Sequence, residues 1–149
     1  MKTIQTHAHY IEWLSADQMH EASKEWLSEL NFIKDEHRFF EDLITTYTSQ
    51  LIAPKRFSDT KEIIDELYKS QKQNDLLIEV VKTHENELQI MVDGVDQIKE
   101  ESAYTKAHKG LVDIINEFLK DYKTLKTQLF DLIKNMKREE KQDHQIDKK

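Results

Sequence analysis

The sequence has no cysteine, one proline and two glycines in 149 residues. Without cysteine there are no disulfides, no thiolate zinc sites and no cysteine nucleophile. So few turn-forming residues exclude a β-rich or loop-rich fold. Two glycines leave no room for a glycine loop that cradles phosphate, and neither HExxH nor GxSxG occurs. The ExxH pair of di-iron carboxylate bundles is missing too. No apolar run reaches the roughly 18 residues a membrane span needs, so no membrane partner is expected. Residues 1 to 9 lack an apolar core of the kind a signal peptide carries. Absent cysteine and absent leader together place the expected compartment in the cytoplasm.

What remains is charge and amphipathic helix. Charged residues make up 34% of the chain and apolar residues 38%, with a formal net charge of −7. An acidic surface repels phosphates, so no nucleic-acid partner is expected. The stripe of Lys106, Lys109, Lys120, Lys123, Lys126, Lys134 and Lys137 reads as a solvated helix face beside acidic neighbours.

Three long helices follow from the punctuation. Ser15-Ala16-Asp17-Gln18 is a capping box, with Leu14 and Met19 placed for a hydrophobic staple. The first helix is predicted over 16–53, because a residue before Pro54 resists the α conformation. The second, capped by Ser58 or Asp59, is predicted over 59–99, with a break at Gly94 as its alternative. Its stripe is Ile63, Leu67, Leu77, Val81, Leu88, Val92, Val95 and Ile98. After a turn at Glu100-Glu101-Ser102, the third is predicted over 103–140. It carries Leu111, Ile115, Phe118, Tyr122, Leu125, Leu129, Leu132 and Met136. Residues 141–149 are expected to fray as a charged tail.

Near-equal helices joined by short turns pack as antiparallel neighbours, so the expected fold is an all-α, up-down-up bundle forming one domain. Charge agrees: residues 16–53 and 59–100 are acidic while 101–149 carry net positive charge, which eases repulsion at the seams. Apolar doublets such as Phe32-Ile33, Phe39-Phe40 and Leu129-Phe130 widen the stripe beyond the need of three helices. Either the N-terminal segment, with Ile4, Tyr10, Ile11, Trp13 and Leu14, or a second copy of the chain would complete a four-helix-like core.

Several polar residues lie on or beside the stripes. Trp26, Ile33, Phe40 and Tyr47 recur every seven residues, with Glu29 and Glu36 in the alternate slot. Leu30 and His37 are able to take that slot instead. Gln71, Asn74 and His84 fall in phase on the second helix, and His108 on the third. Taking residues 53 and 59 as level at the first turn brings Glu29 beside His84, with Asn116 and Glu117 at the same layer. His20 and His108 share a layer nearer one end. Carboxylate and imidazole suit zinc or iron, so Glu29 and His84 are the candidate metal ligands. The plainer reading is that such residues fix the register of the bundle.

His37-x-x-x-Glu41 and His108-x-x-x-x-Asp113 have the spacings of two motifs in hemerythrin-like four-helix bundles. The resemblance stops at these two motifs. The HxxxH element of that family is missing, and an up-down-up arrangement separates His37 from His108 by about 25 Å of helical rise.

The function that follows is a non-enzymatic protein–protein interaction or scaffold module, self-associating as a homodimer or binding another protein, and needing no cofactor. The alternative is a bundle that binds a metal or small ligand through His and Glu.

Overall fold

A computed structural model describes residues 15–52, 57–93 and 98–147. Helix α1 is Ala16–Thr46, α2 is the short Thr48–Leu51, α3 is Phe57–Asp93 and α4 is Ile98–Asp147. Every element among the described residues is helical, and the protein is an all-α bundle of three long helices. No helix among them is long and apolar enough to cross a membrane.

The capping box forms as the sequence implies. The Gln18 backbone N–H donates to Ser15 Oγ at 3.1 Å, and the Ser15 N–H donates to Gln18 Oε1 at 2.9 Å. Two N–H groups that the first turn leaves orphaned are thereby satisfied. The predicted single helix over 16–53 is interrupted at Tyr47, which sits at φ −103° and ψ 20°. A run of threonines explains the break. Thr45, Thr46 and Thr48 turn their hydroxyls back onto the carbonyls of Glu41, Asp42 and Ile44. Such back-bonding competes with the backbone ladder and bends helices.

The second turn moves. Helix α3 ends at Asp93 rather than 99, so the alternative break next to Gly94 is the one adopted. Glycine in a helix interior costs about 1 kcal/mol relative to alanine, and Gly94 itself lies outside the described residues. Met91 takes the last slot, half-buried, while Val92 is exposed. Ser102, expected at the corner, lies inside α4. That helix begins at Ile98 and continues to Asp147, past the last fully buried side chain, Met136. The N-terminal segment, residues 1–14, lies outside the described residues.

Burial follows alternating steps of three and four. On α1 the sequence is Met19, Ser23, Trp26, Leu30, Ile33, His37, Phe40, Ile44 and Tyr47. On α3 it is Thr60, Ile63, Leu67, Ser70, Asn74, Leu77, Val81, His84 and Leu88. On α4 it is Tyr104, His108, Leu111, Ile115, Phe118, Tyr122, Leu125, Leu129, Ile133 and Met136, where Ile133 takes the place expected for Leu132. This is the spacing of a coiled-coil seam. It is narrower than the doublets suggest: their outer members Phe32, Phe39, Ile114 and Phe130 are exposed.

The chain divides into two compact units. The first joins the described residues up to Asn31 with Asp75–Phe118, and the second joins Phe32–Asn74 with the chain from Leu119 onward. In the first unit Met19, Leu88 and Tyr104 form a buried cluster, and His20 meets Glu85, so α1 and α3 run antiparallel. Leu88 packs with Tyr104 while His84 meets His108, so α3 and α4 run antiparallel as well. In the second unit Glu36 meets Tyr122 and Phe40 meets Phe130, so α1 and α4 run parallel.

Candidate functional site

Chemistry concentrates in the first unit, where aromatic and imidazole rings replace aliphatic side chains at successive seam positions. His84 on α3 and His108 on α4 are both buried. Their facing nitrogens, Nε2 of His84 and Nδ1 of His108, are 3.0 Å apart and share one hydrogen. The Tyr104 ring lies flat on His84, with centroids 4.1 Å apart and planes 7° apart. Trp26 of α1 covers His108 at 4.8 Å. The Tyr104 hydroxyl donates to the His84 backbone carbonyl at 2.9 Å, which satisfies a phenol that would otherwise be buried unpaired.

Burial sets the charge state of this stack. It pushes His84 down from 6.5 to about 4, and the nearby His108 pushes the same way. Burial also lowers His108, although Glu85 opposes that shift. The Tyr104 phenol is pushed up by burial, with Glu85 and Glu87 adding to it. At neutral pH the pair is therefore two neutral rings, one donating and one accepting. At the edge of the stack, Glu85 Oε2 is 2.6 Å from His20 Nδ1, while its other oxygen is buried without a hydrogen-bond partner.

His84 also borders a groove of about 350 Å3 between α3 and α4. Glu79, Val80, Thr83, Glu87, Ala107 and Leu111 line the rest of it.

The second unit builds its polar layer differently. His37 Nε2 meets Ser70 Oγ at 2.9 Å, and its ring stands edge-on to Tyr122 with centroids 5.2 Å apart. The Tyr122 hydroxyl donates to Glu36 Oε1 at 3.3 Å, and Lys126 Nζ pairs with Glu36 Oε2 at 2.6 Å. Burial raises the Tyr122 phenol, and the Glu36 charge and hydrogen bond raise it further.

Of the two candidate metal ligands, His84 is buried in the seam and Glu29 is exposed on α1. His84 makes its hydrogen bond to His108, and Glu29 makes none with it. Helix α1 reaches this level through Trp26, which covers His108, and through His20, paired with Glu85. Glu29, three residues beyond Trp26, is exposed. Leu30 and His37, not Glu29 and Glu36, take the alternate slots. Among the described residues no three His, Asp or Glu side chains are placed to hold one metal ion. Layer arithmetic does bring His20 and His108 to neighbouring positions of α3, at Glu85 and His84. Sequence reading missed Tyr104 and Ser70 as partners. Their signal was available, since Tyr104 and His108 continue the α4 spacing backwards from Leu111.

No known protein family, curated protein or solved structure matches the chain.

Proposed function

We propose that this protein is a non-enzymatic interaction module whose helices present apolar side chains to another protein surface. The observation that carries this reading is the second ring of apolar residues outside the seam. Phe32 and Phe39 recur seven apart on α1, with Phe32 62% exposed. Leu76, Val80 and Ile90 are exposed on α3, and Ile114 and Phe130 on α4. They lie outside the buried seam, with Phe39 and Phe130 set edge-on to its Phe40. Apolar side chains repeated at helical spacing on an outer face are how a bundle engages another helix. The buried histidines serve the module by fixing its register, since a hydrogen-bonded polar layer penalises any slip of one helix past another.

Cross-linking of the full-length protein in its native extract, followed by mass spectrometry, tests this. Intermolecular links should fall beside Phe32, Phe39, Leu76 or Ile114. A protein that yields only intramolecular links would not be an interaction module.

A further inference from the structure

Three phenylalanine rings stand out from the second unit along one groove. Phe32 and Phe39 recur seven apart on α1 and are 62% and 53% exposed, and Phe130 of α4 is 48% exposed. Phe39 and Phe130 both stand edge-on to Phe40. The rings border the side of the unit where α1 meets α4, since Glu36 of α1 reaches Tyr122 and Lys126 of α4 there.

The charges beside these rings sort by helix. On α1, Asp35 and Asp42 follow Phe32 and Phe39 by three residues each, and both are exposed. On α4, Lys123 and Lys137 lie seven residues either side of Phe130 and Lys134 lies four beyond it, all exposed. Residues three, four and seven apart share a helix face. Charges of the opposite sign lie toward α3 instead. Lys34 and Arg38 are in step with Glu41, seven and three residues on, and Glu41 meets Gln71 of α3. Asp121 and Thr124 line a groove with α3, and Asp131 is seven residues from Thr124. Glu36 and Lys126 are paired with each other at 2.6 Å. One edge of the groove is therefore acidic and the other basic.

We propose that a second copy of the chain covers this face of the second unit, related by a twofold axis parallel to the helices. This rests on the interaction-module reading and names the partner for one of its faces. Two such faces meet about one of two axes. An axis across the helices lays α1 over α1 and α4 over α4, which sets acid on acid and lysine on lysine. An axis along the helices lays α1 over α4 of the other copy and shifts nothing lengthwise. Levels are then those within the chain, where Glu36 meets Tyr122 and Lys126, and Phe40 meets Phe130. Phe39 lies beside Phe130 of the partner subunit. Asp35 lies beside Lys123 of the partner subunit, and Asp42 beside Lys134 of the partner subunit. The symmetry repeats each pairing, so charge selects the axis along the helices. Residues 1–14 offer no such match, because their charges, Lys2 and Glu12, cancel.

Exchanging the charges tests this without touching the core. Sedimentation of the full-length protein should give twice the chain mass of 17.8 kDa. The double variants Asp35→Lys/Asp42→Lys and Lys123→Asp/Lys134→Asp should each give one chain mass, with unchanged helical circular dichroism. Mixing these two variants should restore the doubled mass, and so should all four substitutions in one chain. Leu76→Lys, exposed on α3 of the first unit, should remain a dimer. A wild-type protein that stays monomeric up to about 100 μM, a weak affinity on any scale, overturns the proposal. So do double variants as dimeric as the wild type, which would mean like helices face each other or another face is used. A monomer with Lys2 cross-linked to Lys123 of its own chain places residues 1–14 on the face and excludes the second copy. A monomer that cross-links to a different protein retains the interaction-module reading and loses this one.

Discussion

The two units solve the same problem, a histidine in a core slot, with opposite chemistry. In the first, His84 is paired with another imidazole and stacked on Tyr104, so each nitrogen's partner is itself a titratable ring. In the second, His37 is paired with the Ser70 hydroxyl, and the charge nearby is already balanced by the Glu36–Lys126 pair. A ring pair satisfies two buried groups at once but does so only while both are neutral. A hydroxyl donates or accepts and so tolerates either state of its partner. The difference shows that a shared seam spacing does not imply a shared response to solvent conditions.

The largest effect should come where the second unit is purely apolar. Phe40 is fully buried and packs edge-on to Phe130, with centroids 5.1 Å apart. Phe40→Ala should cost about 3–5 kcal/mol in urea unfolding, the range for deleting a buried aromatic ring. Native-state hydrogen exchange should show whether the loss stays in the second unit. Equal loss of protection at Leu88 and Ile115 would mean that the units unfold together and that their contrast is chemical only.

Acidification should separate the units next. The folded pKa of His84, about 4, lies below its unfolded value near 6.5. Between those values the unfolded chain takes up a proton that the folded chain refuses. Stability is therefore flat above about pH 6.5 and falls as pH drops toward 4, by about 2–3 kcal/mol for a shift of this size. Burial lowers His108 in the same sense. Amides of α3 and α4 beside these rings should lose protection first. His84→Phe, which keeps a ring over Tyr104, should flatten the profile. A profile unchanged by that substitution would place the acid sensitivity elsewhere.

Much of this was legible from the chain and some was not. The Ser15 capping box, the α4 spacing from Leu111 to Met136, and the seven-residue run Trp26, Ile33, Phe40, Tyr47 are local signals, and each appears where the residues put it. The second turn was not legible in the same way. Val92, Val95 and Ile98 continue an apolar phase past Gly94, and phase alone does not weigh that continuation against the cost of a glycine. The Glu29–His84 layer came from levelling residues 53 and 59 at the first turn, and the α1–α3 contact of His20 with Glu85 sets that pair of helices several residues away from this level. A register inferred from one turn carries the error of that turn into every cross-helix pair. The width of the stripe misled for another reason. Doublets mark apolar residues, but which member faces inward depends on the alternating step of three and four, and the other is left half-buried, as Leu27 and Leu43 are, or exposed, as Phe32 and Phe39 are.

The smallest difference is also the sharpest comparison, because the same substitution is made in both units. Ser23 is buried in the first unit, and its hydroxyl donates to the Met19 carbonyl one turn back at 2.9 Å. That carbonyl also serves the helix, and alanine is the better helix former, so Ser23→Ala should change stability by no more than about 0.5 kcal/mol. Ser70 is also buried in its seam slot, but its hydroxyl reaches across helices to His37 Nε2. Ser70→Ala gains the same propensity and removes a hydrogen bond from a buried ring nitrogen, for a net loss of about 1 kcal/mol. Paired unfolding curves at pH 8 decide it, since the His84 pair is neutral in both states there. A Ser23→Ala loss as large as that of Ser70→Ala would mean that the back-bonded hydroxyl holds the first unit's register too, and the contrast drawn between a local and a cross-helix polar contact would fail.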